Sequence, residues 1–247
     1  MDGGLFWALA VLAAVLVGMG KGGLPVVAMM SVPVLSLVIS PLAAAGLLLP
    51  IYVVSDMFGL WAYRRAFDWR VLAIMVPATT VGVALGWATA SLVSDRLVTG
   101  IVGGVGAVFA ASLLVRRGPV AAARPVRILP GLFWGAASGF TSFVGHAGGP
   151  PYQIYMLPLR LEKAVYAGST TILFAYVNAI KLPAYWSLGQ LSTANLQTAM
   201  FLMLPASLAV FAGVWLVRLL PEVLFFRLVT WALLAVCCKL IWTALHG

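Results

Sequence analysis

Carboxylates are scarce in this chain: six acidic residues stand among 247, and they form no pair spaced for acid–base work. Histidine is scarcer. His146 and His246 are the only imidazoles available as a catalytic base. Ser142 precedes His146 by about one helical turn, yet no Gly-x-Ser-x-Gly elbow surrounds it, so nucleophilic catalysis lacks its frame. The two cysteines, Cys237 and Cys238, are adjacent inside an apolar run and have no metal-ligand spacing. They read as packing residues. These shortages argue against an enzyme and against a bound metal or cofactor.

What abounds is apolar surface. With 63% hydrophobic residues, 9% charged ones and a mean hydropathy of +1.08, the chain cannot keep such a surface in water, which excludes a soluble core and makes lipid its solvent. The net charge of +9 and isoelectric point of 10.1 would suit nucleic acid. The basic residues, however, sit in short loops between apolar runs, a pattern that reports membrane topology. No nucleic-acid partner is expected.

Met1-Asp2-Gly3-Gly4 carries no basic stretch ahead of apolar residues 5–17, so this segment reads as a retained first helix rather than a cleaved signal. Two apolar runs, 5–39 and 128–159, are interrupted. The breaks are Gly18-Met19-Gly20-Lys21-Gly22-Gly23-Leu24-Pro25 and Thr141-Ser142-Phe143-Val144-Gly145-His146-Ala147-Gly148-Gly149-Pro150-Pro151. Glycine is entropically costly in a helix and proline has no N–H, so two half-helices should meet at each break. A continuous helix over the 35 residues 5–39 would be about 52 Å long, too long for one span of ~30 Å and too short for two with a turn. A re-entrant hairpin fits. The runs 42–63, 71–90, 97–115, 164–186, 194–217 and 228–245 read as full spans.

If both hairpins turn back, Arg64, Arg65 and Arg70, the four arginines within 116–127, Arg160, Lys163, Arg218 and Arg227 all face one side. That side is the cytoplasm, with both termini outside. The halves also echo each other: Met75-Val76-Pro77-Ala78 returns as Met203-Leu204-Pro205-Ala206, and Arg96-Leu97-Val98-Thr99 as Arg227-Leu228-Val229-Thr230. The expected fold is an all-α polytopic membrane protein of two inverted repeats, each a broken re-entrant helical hairpin plus three transmembrane helices. The first repeat takes residues 1–115, the second 128–247, and a cytoplasmic linker 116–127 joins them.

The glycine-rich break after the first apolar segment, its return as Gly145-His146-Ala147-Gly148-Gly149-Pro150-Pro151, and Ala167-Gly168-Ser169-Thr170 together resemble the TauE/SafE sulfite exporter family. The likeness covers essentially the whole chain. It implies movement of sulfite or a small organosulfonate across the inner, cytoplasmic membrane without nucleotide hydrolysis, export above uptake. One departure is the first motif, Gly-Lys-Gly-Gly-Leu, where many relatives carry a third glycine.

The residues point to an anion on their own account. A half-helix starting at Gly-Gly-Pro offers free N–H groups and a positive dipole end, so Gly22, Gly23, Gly148, Gly149 and Pro150 outline a substrate site, with Lys21 and His146 beside the breaks. Asp56 and Asn178 correspond when the halves are aligned, and Asn178 joins the candidate substrate-binding residues. Asp56 is the candidate for a coupling proton, or else a structural partner of Lys181 or Lys21. Lys181 and Lys239 are expected to snorkel toward span ends. Ser169 and Thr170 could offer hydroxyls to a sulfo group, or bond their own helix backbone. Gly100, Gly103, Gly104 and Gly106 allow close helix contact within the protomer or across a homodimer. Apart from lipid, the expected partner is one small sulfur-containing anion. A passive anion channel would use the same helix-end site, so the inverted repeat is what favours alternating access.

Overall fold

The computed structural model describes residues 3–21, 25–90, 92, 94–115, 123–219 and 222–246. Among them the chain forms eleven α-helices and one 3-10 turn, with no strand. In the first half these are α1 (Gly3–Lys21), α2 (Pro25–Ala28), α3 (Ser31–Leu35), α4 (Pro41–Tyr63), α5 (Trp69–Ala90) and α6 (Asp95–Val115). The second half has α7 (Ile128–Gly145), α8 (Gly149–Met156), α9 (Lys163–Ser187), α10 (Thr193–Leu219) and α11 (Glu222–His246), with the 3-10 turn Leu157–Leu159 after α8. Five of the six expected spans agree with a helix to within two residues at each end. The sixth, α11, starts six residues before the expected 228, because Glu222 and Arg227 make its first turns too polar to register as span.

The hairpins differ from expectation in their arms. The sequence predicts two half-helices meeting at each break; α1 and α7, with 19 and 18 residues, are instead each long and apolar enough to cross a bilayer alone. Their return arms are short. Pro25 and Pro33 in the first arm, and Pro150, Pro151 and Pro158 in the second, withhold N–H groups from the helix ladder and limit each return to short pieces. The second run nonetheless doubles back on itself: the Arg124 N–H donates to the Pro158 carbonyl at 2.9 Å, and the Tyr155 hydroxyl to the Arg127 carbonyl at 3.1 Å. Its two ends therefore lie at one level.

Among the described residues six helices have the length and apolarity to span, namely α1, α4, α5, α6, α7 and α10. α9 is not one of them. It buries Ser169, Asn178 and Lys181 and packs on α4, α5 and α7, so protein rather than lipid surrounds its polar side. The main pairings are α1 with α10, α5 with α7, α4 with α9 and α6 with α11. Exchanging the halves turns the first pairing into the second and leaves the other two unchanged.

Between lipid-bathed helices there is little hydrophobic drive, so close backbone contact must supply attraction. Glycine permits it here. A methyl at Gly18 would land on the Ala206 carbonyl, at Gly82 on the Ala136 carbonyl and at Gly139 on the Thr79 carbonyl. In α6, Gly103 and Gly106 face Cys237 of α11, so these small residues serve contact within the protomer. Trp7, Trp61, Trp69, Trp186 and Trp242 are exposed near helix ends, as an interfacial belt requires.

Candidate functional site

α4 and α9 cross in opposite directions, with Gly46 near Tyr185 and Gly59 near Thr171. At their crossing sits Asp56, 2% exposed. A buried carboxylate has only acceptor capacity and must find donors. One is the Lys21 ammonium, which forms an ion pair with Oδ1; the other is the Asn178 amide, donating to Oδ2 at 2.6 Å. Asp56 and Asn178, which the sequence alignment of the two halves sets opposite each other, thus touch, and Lys21 occupies the acid offered for a coupling proton. Lys21 ends α1 with its side chain 27% exposed, so the pair opens on one side.

One turn before Asp56 on α4, Tyr52 gathers both breaks. Its hydroxyl donates to the Ala28 carbonyl at 3.1 Å and lies 3.0 Å from Ser31 Oγ, both just beyond the first break. Its ring stacks on His146 of the second break with centroids 4.5 Å apart, and Lys21 Nζ lies 5.6 Å from the same ring. Sequence reasoning missed Tyr52. A tyrosine one helical turn from a membrane acid was the available signal.

His146 ends α7 in the left-handed conformation, φ 52°, where its N–H donates to the Ser142 carbonyl at 3.0 Å. That turn swings the ring toward α4. Nε2 lies 2.9 Å from the Ala45 carbonyl, which can only accept, so Nε2 carries the proton and Nδ1 is left as an acceptor. Lys181 Nζ donates to Nδ1 at 2.8 Å and also meets the Ser142 carbonyl at 3.1 Å and Ser142 Oγ at 3.2 Å. The expected snorkelling is overturned: Lys181 is fully buried, because α4, α5 and α7 sheath its helix. Lys239 is exposed, as snorkelling requires.

Gly22 and Gly23 lie outside the described residues. Gly148 accepts a hydrogen bond from the Ser138 hydroxyl at 2.8 Å, and a methyl on it would press against the Ser138 carbonyl. Gly149 opens α8 beside Met29, which joins the second break to the first. Pro150 and Pro151 have no N–H, so the helix start presents two free donors, those of Gly148 and Gly149, with no acceptor among the described residues. This helix start is half as rich in donors as an ordinary one.

The sequence from residue 5 to residue 240 matches the model of the sulfite exporter TauE/SafE family. The chain belongs to this family. No curated protein and no solved structure matches it. As a TauE/SafE member it is a multi-pass membrane protein of a transporter family. Two residues drawn from the Ala167-Gly168-Ser169-Thr170 signature do not join the cluster in this TauE/SafE chain. Ser169 Oγ accepts from the Asp68 N–H at 2.9 Å, and Thr170 donates to the Tyr166 carbonyl at 2.7 Å while lying 2.8 Å from the Tyr152 hydroxyl. Both are committed to packing. A crevice lined by Leu42, Gly86, Phe140 and Phe143 is apolar and has no charge for an anion.

Proposed function

We propose that this chain is a secondary transporter that exports sulfite or a small sulfonate across the cytoplasmic membrane by alternating access between two inverted repeats. The observation that carries this reading is the convergence of both breaks on Tyr52, where Lys21 and His146 stand on one aromatic ring. The anion sits between the breaks, near Lys21, Gly22, Gly23, His146, Gly148 and Gly149. The N–H groups of Gly148 and Gly149 and the Lys21 ammonium are its donors. The symmetric pairing of helices supports two repeats that rock about the α4–α9 crossing. Oxyanions of sulfur are the favoured cargo because the family is one of sulfite exporters.

A thermal-shift screen of purified protein with sulfite, sulfate, thiosulfate and small sulfonates tests the substrate. Sulfite or a sulfonate should raise the melting temperature in a saturable way, since a ligand of the folded state stabilises by mass action. A flat response to the whole series would end this reading. Counterflow in proteoliposomes separates a transporter, which shows it, from a channel, which does not.

A further inference from the structure

Lys181 stands apart from the other charged groups of the site. Its amine is fully buried, and its three partners, the Ser142 carbonyl, Ser142 Oγ and His146 Nδ1, are all uncharged. The carboxylate on the neighbouring α4, Asp56, is already held by Lys21 and Asn178. The remaining titratable groups around it are Tyr52 on α4 and Tyr185 on α9 itself, whose hydroxyl donates to the Phe143 carbonyl. From α5 the charged residue is Arg70, exposed at the helix end near the α4–α5 loop.

Such a set suits two protonation states. The carbonyl and Nδ1 only accept, and each takes one N–H from either an amine or an ammonium. The third partner is a hydroxyl. It donates to the lone pair of a neutral amine or, turned about its C–O bond, accepts the third N–H of an ammonium. No heavy atom has to move. Charge then decides when the proton is present. Lys21 and Asp56 cancel, so a protonated Lys181 leaves one unbalanced buried cation, which is costly until a monovalent anion arrives.

We propose that Lys181, bonded to His146 and Ser142, is the proton-loading site of the transporter and takes up one proton with each monovalent oxyanion. The proton comes from bulk water and adds to the Nζ lone pair; no other bond changes. This inference rests on the anion site between the breaks.

Titration calorimetry with methanesulfonate, whose charge is fixed across the working pH range, tests it in buffers of different ionisation heat. The parent protein should take up about one proton per anion, and affinity should fall about tenfold per pH unit on the alkaline side. Lys181→Met should bind more weakly, without proton uptake and with a flat pH profile; Lys181→Gln serves if methionine prevents folding. Binding by the parent without proton uptake, or uptake that persists in the Lys181 variants, overturns the proposal and leaves the anion site standing. Failure of the parent to bind methanesulfonate or sulfite at all overturns both.

Discussion

Asp56 serves two donors at once, and neutralising it strands both. In Asp56→Asn the Lys21 ammonium loses its counter-charge while two amides face each other, at a cost of about 2 kcal/mol. That is less than the ~3–5 kcal/mol of a fully buried pair, because Lys21 reaches solvent. Adding Lys21→Met removes the stranded cation and should recover much of the loss in thermal unfolding; strictly additive losses would show that the two charges are not coupled. Gly149→Ala is of another kind. Its methyl meets nothing nearer than the Met29 sulfur at 3.4 Å and Gly149 is not at positive φ, so stability should change by less than about 0.5 kcal/mol. Anion affinity should nevertheless fall, since the methyl stands beside one of the two free N–H groups, and unchanged calorimetric binding of sulfite would move the site away from Gly149. Lys21, Asp56, His146 and Asn178 were legible in the sequence because polar groups in apolar runs are costly and few. Lys181 was misjudged because its distance from the end of a run says nothing of the three helices wrapped around it. Tyr52 was hidden inside an apolar run, Ile51-Tyr52-Val53-Val54.

At the scale of helices, contact depends on where a side chain is missing. Gly82→Val should destabilise by about 2–3 kcal/mol, because the added carbons meet the Ala136 carbonyl, which belongs to a rigid helix backbone. Gly104→Ala is its counterpart: nothing lies within 4 Å, and alanine's better helix propensity should leave the melting temperature equal or slightly higher. Equal melting of parent and Gly82→Val would show that α5 and α7 do not meet at this glycine. Four of the six span-length helices, α4, α5, α6 and α10, were legible in the sequence, since apolar length maps directly onto helices that face lipid. The hairpin arms were less so. Hydropathy records how long an apolar run is, whereas the point at which it turns depends on prolines and on a left-handed His146 whose ring has a carbonyl to reach on α4.

For the whole molecule, charge and geometry combine into an orientation. Arg124 and Pro158 are bonded, so the stretch before α7 and the loop before α9, both basic, share one face. With Cys237 and Cys238 replaced by alanine, a cysteine at Ala123 should resist an impermeant thiol reagent in intact cells, and one at Gly4 should react. The opposite labelling would invert the topology. The pairing of α1 with α10 also governs how such a protein is made. Helix α1 leaves the ribosome well before its packing partner α10, so during synthesis it waits in lipid with its glycine face bare and its terminal lysine beside headgroups. Maturation is therefore a late, concerted event, and nascent chains released before α10 has emerged should remain sensitive to protease, however many of their helices are already inserted.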